Sequence, residues 1–293
     1  MPDPIAVQND NAVEATQLLQ IGHSPDPDDA FMFYGFASKK VTIPGFEIDH
    51  VLADIQSLNK RAMRGELPVT AISAHAYPYV SDKYWIMKTG ASMGEGYGPI
   101  IVSKKYKTIE ELRESKGTIG QPGKLTTANL LLKVWFGDIR SIEMDFDKLI
   151  DGVLNDQIDA GLLIHEGQIT WQNFGLNKLA DFGELWQAQS GGLPLPLGLD
   201  CVRKDLGLET AKVISSALQE SIRVSYDNQD ASIPYALEWG RGISTELGGK
   251  FVKMYVNEVT LDMGERGKKA LEMLFKMGAE KGIIPVVDGI ELV

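Results

Sequence analysis

The stretch Asp159-Ala160-Gly161-Leu162-Leu163-Ile164-His165-Glu166-Gly167 decides how this chain reads. Its first half is a short apolar run, the pattern of a strand buried on both faces of an α/β sheet. Leu149, Ile150, Val153 and Leu154 precede it at helical spacing over residues 146–155, with only a tight turn between. A helix feeding directly into a buried strand predicts an α/β protein. Such sheets bind ligands beyond the carboxyl ends of their strands, and His165 and Glu166 stand at that end. A neutral imidazole there can accept a proton near neutral pH, and a carboxylate can orient it. Adjacent residues of an extended chain point apart. The orienting group is therefore either Glu166 or a residue from elsewhere, with Asp29 the other candidate.

Two further junctions have the same form. Val69-Thr70-Ala71-Ile72 alternates into a strand, and Ser73-Ala74-His75-Ala76 turns it toward a helix. Gly117-Thr118-Ile119-Gly120 leads through Gln121-Pro122-Gly123-Lys124-Leu125 to Thr126-Thr127-Ala128-Asn129 and an apolar helix. N-capping accounts for one threonine. A second hydroxyl and the free N–H groups of a helix start suit a carboxylate or phosphate. His75, alone at a helix start, reads as structural.

Residues 18–22 form the predicted first strand. His23-Ser24-Pro25-Asp26-Pro27-Asp28-Asp29 then breaks it and opens a helix over 30–36. The acids suit the positive end of that helix, while Ser24 and Asp29 are also placed to reach the rim of a site. Residues 46–51 alternate as a strand, and 54–64 follow as a helix. Gly90, Gly94, Gly96 and Gly98 mark a mobile loop, since no Lys-Ser/Thr ending makes it a phosphate loop. Residues 191–198 read as a proline-stiffened linker and 199–202 as the return strand. Helices are expected over 210–226, 231–239, 248–255 and 265–281.

The 293 residues suffice for two lobes. Residues 1–19 read as a flexible leader, 20–103 with 199–293 as the larger α/β lobe, and 104–198 as the smaller. A net charge of −11 disfavours nucleic acid and anionic membranes as partners. No apolar run approaches the roughly 20 residues of a membrane span. The leader lacks a basic start and an apolar run, so it is not a secretory signal. The single cysteine, Cys201, excludes an internal disulfide and fits a reducing, cytoplasmic compartment. Four scattered histidines offer no metal-ligand spacing. Oligomeric state is not legible.

Five stretches occur in a telling order. They are His23-Ser-Pro-Asp-Pro-Asp-Asp-Ala-Phe-Met-Phe33, Ser57-Leu-Asn59, Thr126-Thr-Ala128, Gly161-Leu-Leu-Ile-His-Glu166 and Gly192-Leu-Pro-Leu-Pro-Leu-Gly198. Together, from about residue 20 to the C-terminus, they resemble the 1,4-dihydroxy-6-naphthoate synthase family of the futalosine route to menaquinone. The resemblance implies a two-lobed type 2 periplasmic-binding-protein-like fold, each lobe a mixed sheet flanked by helices. It implies a lyase that converts cyclic dehypoxanthine futalosine to 1,4-dihydroxy-6-naphthoate and dihydroxyacetone without cofactor or metal.

Carried onto this chain, His165 matches the family's proton acceptor. Ala71, Ile72, Ser73, Thr127 and Ala128 match its substrate-contacting segments. Asn59 and Asp29 lie in matching motifs and are expected to bind substrate as well, while the roles of Asp26 and Asp28 stay open. The expected partner is a small anionic substrate bearing a carboxylate. Some family members carry a cysteine and an asparagine where this chain has acids in the first motif, and the leader has no counterpart. The alternatives are a solute-binding protein of the same fold without catalysis and the related chorismate dehydratase.

Overall fold

A computed structural model describes residues 16–239, 249, 252 and 254–293. The chain opens with β1 (Gln17–His23), α1 (Pro27–Ala37), β2 (Phe46–Leu52), α2 (Ile55–Met63), β3 (Val69–Ser73), β4 (Tyr84–Ile86), β5 (Ser92–Gly94) and β6 (Ile100–Ser103). Next come α3 (Ile109–Glu114), β7 (Ile119–Gln121), α4 (Thr127–Phe136), β8 (Ser141–Glu143), α5 (Leu149–Leu154) and β9 (Ala160–Leu163). The short α6 (Gly167–Thr170), β10 (Asn177–Asp181), α7 (Phe182–Ser190) and β11 (Leu195–Arg203) complete the strands. Helices α8 (Leu208–Asp227) and α9 (Gln229–Leu237), a turn of helix over Glu258–Leu261 and a final helix Gly264–Glu280 follow.

The strands form two mixed sheets. The first runs β2-β1-β3-β11-β4, with β5 also on β11. β1 is parallel to β2 and β3, while β11 is antiparallel to β3. The second runs β10-β6-β9-β7-β8. There β7 is parallel to β8 and β9, and β6 is antiparallel to β9 and β10. The chain passes from the first sheet to the second between β5 and β6, and returns between α7 and β11. At these passages Gly98 and Gly183 meet backbone to backbone. A Cβ on Gly183 would fall 2.4 Å from the Tyr97 carbonyl carbon, and one on Gly98 would fall 2.7 Å from the Gly183 nitrogen. Phe182 N–H donates to the Pro99 carbonyl at 2.9 Å across the same contact.

Residues 27–36 of helix α1 are all buried, and beyond Asp28 and Asp29 of its first turn the helix is apolar around its circumference, as a helix covered on all faces must be. It packs against α8 through Phe31, Phe33, Ile214, Leu218 and Ile222. Ser221 and Ser225 of α8 donate to the Met32 and Phe31 carbonyls at 2.7 and 2.6 Å. The largest core cluster joins β3 and β11 to α4 and the final helix, through Ile72, Leu130, Leu131, Leu199, Leu271 and Leu274. The described residues include no helix long and apolar enough to cross a membrane.

Several expectations change. The first strand begins at Gln17, inside the expected leader; residues 1–15 lie outside the described residues, as does half of the expected helix 248–255. The helix expected from 30 begins at Pro27, so Asp28 and Asp29 lie inside its first turn. The glycine segment 90–98 holds a strand, because Ser92–Gly94 pairs with β11. β11 begins at Leu195, so half of the expected linker is sheet. Pro196 is tolerated at the end of that strand, where the β5 register shifts. β6, placed by the sequence at the end of the first lobe, belongs to the second sheet. α7 was not expected at all. Its sequence Phe-Gly-Glu-Leu-Trp-Gln-Ala-Gln-Ser has few apolar positions, and Asp181 fixes its start by accepting from the Gly183 and Glu184 N–H groups.

Candidate active site

A cleft of about 680 Å³, partly open to solvent, lies between the two sheets. The β1–α1 turn contributes Ser24 and the first turn of α1 Asp28 and Asp29; β3 contributes Ala71, Ile72 and Ser73; β11 contributes residues 197–200. From the other side come Thr126, Thr127 and Ala128 at the start of α4, and Ile164, His165 and Gln168 after β9. Gly90, Ser92 and Tyr255 also line it. The lining thus includes His165, Asp29, Ala71, Ile72, Ser73, Thr127 and Ala128.

His165 has φ +53°, a left-handed conformation that costs a non-glycine residue about 1–2 kcal/mol. This turns its side chain away from the strand direction. The carboxylate that reaches its imidazole is that of Asp26, with Oδ2 3.5 Å from Nδ1. It is neither of the two groups named from sequence. Asp29 instead accepts from the Ser24 backbone N–H at 2.6 Å, and Glu166 sits at the start of α6. The Phe146 ring packs against the imidazole at 4.9 Å. Nε2 has no hydrogen-bond partner. Gln168 holds the strained backbone. Oriented so that both ends of its amide are satisfied, it accepts from the His165 N–H (3.2 Å) and the Tyr255 hydroxyl (2.5 Å), and donates to the Gly98 carbonyl (2.5 Å).

Asn59 does not line the cleft. It is fully buried behind it, donating to Ser73 Oγ at 3.0 Å and accepting from the Ser73 N–H at 2.8 Å. Its amide also donates to the Leu125 carbonyl at 3.3 Å. It fixes the end of β3 against the loop before α4, and leaves the Ser73 hydroxyl proton free to donate. Asn59→Ala is expected to cost about 2 kcal/mol in urea denaturation, because the Ser73 N–H loses its buried acceptor. It should also raise KM more than it lowers kcat; an unchanged midpoint and KM would show that the clamp is dispensable.

The threonine pair divides its work. Thr126 caps α4, accepting from the Asn129 N–H. Thr127 Oγ1 donates to the Leu197 carbonyl at 2.7 Å and accepts from the His75 N–H at 3.3 Å. Both hydroxyls are therefore engaged within the protein. What α4 offers a ligand is its first N–H groups and the positive end of its dipole. His75 bridges the lobes through Nδ1 to the Thr126 carbonyl, 3.0 Å away. Burial holds it neutral, with its pKa down to about 4. His23 is also buried, stacked 4.4 Å from Phe33 and paired with His50. Burial first, then the His50 charge, pushes it to about 3.

The acids of the cleft are shifted the other way. Burial, then the charges of Asp29 and Asp26, raise Asp28 well above the usual carboxylate range, with His165 opposing. Burial, then Asp200 and Asp26, raise Asp29 likewise. Burial raises Asp200 to about 8. Near neutral pH Asp200 therefore acts as a carboxylic acid, which donates as well as accepts. Asp26, Asp28 and His165 also bring one potential ligand atom each within 4.8 Å of one another, a metal-like grouping that the scattered histidines did not foreshadow.

Two mixed α/β lobes with a cleft between them define a protein with the periplasmic-binding-protein-like fold. The alkanesulfonate-binding protein SsuA of Xanthomonas axonopodis pv. citri superposes with a TM-score of 0.68 at 13% identity, over 94% of this chain and 98% of that one. An Archaeoglobus fulgidus protein solved by X-ray crystallography superposes at 0.85 with 44% identity, over 91% of this chain and 98% of the other. The pattern of the family described as menaquinone biosynthesis matches residues 19–280, and the chain belongs to that family. It is 36% identical to the 1,4-dihydroxy-6-naphthoate synthase of Streptomyces coelicolor, over 93% of this chain and 97% of that one. It is 32% identical to the enzyme of that name from Thermus thermophilus, over 91% and 96%.

Proposed function

We propose that this chain is a lyase that converts cyclic dehypoxanthine futalosine to 1,4-dihydroxy-6-naphthoate, with release of dihydroxyacetone. The observation that carries the reading is His165 itself. A left-handed backbone turns it into the cleft, Asp26 lies beside Nδ1, and Nε2 has no protein partner. In this reading the substrate carboxylate lies against the first N–H groups of α4, with Ser73 Oγ donating to it. His165 then removes a proton from carbon. The electron pair moves into the ring as it aromatises, and the three-carbon fragment leaves. Asp26 stabilises the imidazolium that forms, as a carboxylate beside a catalytic histidine does. The overall identity to synthases in two organisms supports the same reaction.

The test is incubation of the protein with cyclic dehypoxanthine futalosine, followed by mass spectrometry for 1,4-dihydroxy-6-naphthoate. Product formation is expected at enzyme concentrations far below substrate. No product, together with tight binding of another small anion, would sink the lyase reading in favour of a solute-binding protein.

A further inference from the structure

We propose that Asp200 is a second proton-transfer group of this cleft, reaching the substrate from the first sheet while His165 reaches it from the second. This rests on the lyase reading for its substrate. Asp200 lies on an inner strand of the first sheet, opposite Ala71 in the β3–β11 register, two residues from the pair Gly198–Ser73. That spacing puts it on the face of β11 that bears on the cleft, and it lines the cavity. The residue is 1% exposed, and Oδ1 has no hydrogen-bond partner.

The chain is shaped around this carboxyl. Gly90 passes directly over it with φ +84°, and a Cβ there would lie 2.1 Å from Oδ2. Among the described residues, the only basic side chain lining the cleft is His165. The titratable groups bearing on Asp200 are Asp29 from α1 and the adjacent Cys201, with Asp28, His165 and Tyr255 around the same cavity. A buried carboxyl with an unsatisfied oxygen and no cation beside it destabilises the fold. Groups of that kind concentrate where chemistry needs them. Burial raises its pKa to about 8, so near neutral pH it carries the proton it would donate.

The step balances. His165 takes the proton from carbon, and its electron pair enters the ring. The bond to the departing fragment breaks, and negative charge develops on a substrate oxygen. Asp200 gives its proton to that oxygen and becomes a carboxylate. The proton held on His165 returns to Asp200 through solvent as products leave, so the enzyme ends as it began.

The test is the pH profile of kcat for the full-length protein and for Asp200→Asn. The wild-type rate should fall above about pH 8, where Asp200 ionises. Asp200→Asn should lose about 100-fold or more in kcat, keep KM within a few-fold, and lose the alkaline limb. Wild-type kcat with the limb intact in this variant would overturn the proposal. Infrared spectroscopy without any substrate separates this failure from failure of the lyase reading. At pH 7 the wild type should show one more protonated-carboxyl band than Asp200→Asn, and that band should bleach as pH rises through 8. Equal bands in the two proteins would show Asp200 ionised and also overturn it.

Discussion

His165→Asn should bind substrate with nearly unchanged affinity and turn it over about 1,000-fold more slowly, within the range that a positioned general base contributes. Asparagine is the informative replacement because it tolerates the left-handed backbone at φ +53°. The Gln168 contact to the His165 N–H is a backbone contact and survives. An amide cannot take a proton from carbon, so the loss belongs to chemistry and should appear in kcat, measured under single turnover. His165→Ala should lose as much activity, with an added stability cost because alanine is strained at this φ. Calorimetric titration with cyclic dehypoxanthine futalosine supplies the affinity. A variant with full kcat would remove His165 from the mechanism, and a loss confined to affinity would reduce it to a binding residue.

The second large effect is on stability. The Asp200 carboxyl has a pKa of about 8 in the folded protein and an ordinary value near 3.8 when unfolded. Below about pH 4 it is protonated in both states, and its contribution is then fully present. Between those values only the unfolded chain gives up the proton, so folding loses stability as pH rises. Through pH 8 the folded protein begins to ionise as well, and the loss levels off. Four units correspond to a difference on the order of 5 kcal/mol across this window. Asp28 and Asp29 are raised too and act in the same direction. Asp200→Asn removes one titration, so its urea midpoint should exceed the wild-type midpoint at pH 8, with the gap shrinking toward pH 4. Parallel curves from pH 4 to 9 would refute this account. Together with the activity loss, the gain would mark Asp200 as a residue kept at the expense of stability.

The acids also show why the site was only partly legible. Asp26 and Asp28 read as helix-start acids of no fixed role, and Asp200 as an ordinary strand residue. Nothing local distinguishes them. The protonation of Asp200 follows from the chain that closes over it, including Gly90 from a segment read as a mobile loop. Asn59 was expected to touch substrate; its partners are Ser73 and Leu125, which a motif of three residues does not reveal. The Thr127 hydroxyl was expected to face a ligand, but it holds α4 to Leu197, whose strand lies far along the chain.

By itself the sequence determined the local events. Apolar runs gave strands, turn residues ended them, and the Thr-Thr pair and the Leu-Leu-Ile-His run marked where strand or helix ends gather polar groups. Those are short-range consequences of periodicity and capping, and they placed His165, Ser73 and the start of α4 correctly at element ends. The tertiary structure decided which of those ends meet and in what state. It set β6 in the second sheet, brought Asp26 to the imidazole in place of Glu166 or Asp29, and buried Asp28, Asp29 and Asp200 together. The reason is physical. One left-handed φ at His165 redirects its side chain, and the charge of a carboxyl depends on the solvent and neighbours that only the folded chain removes or supplies.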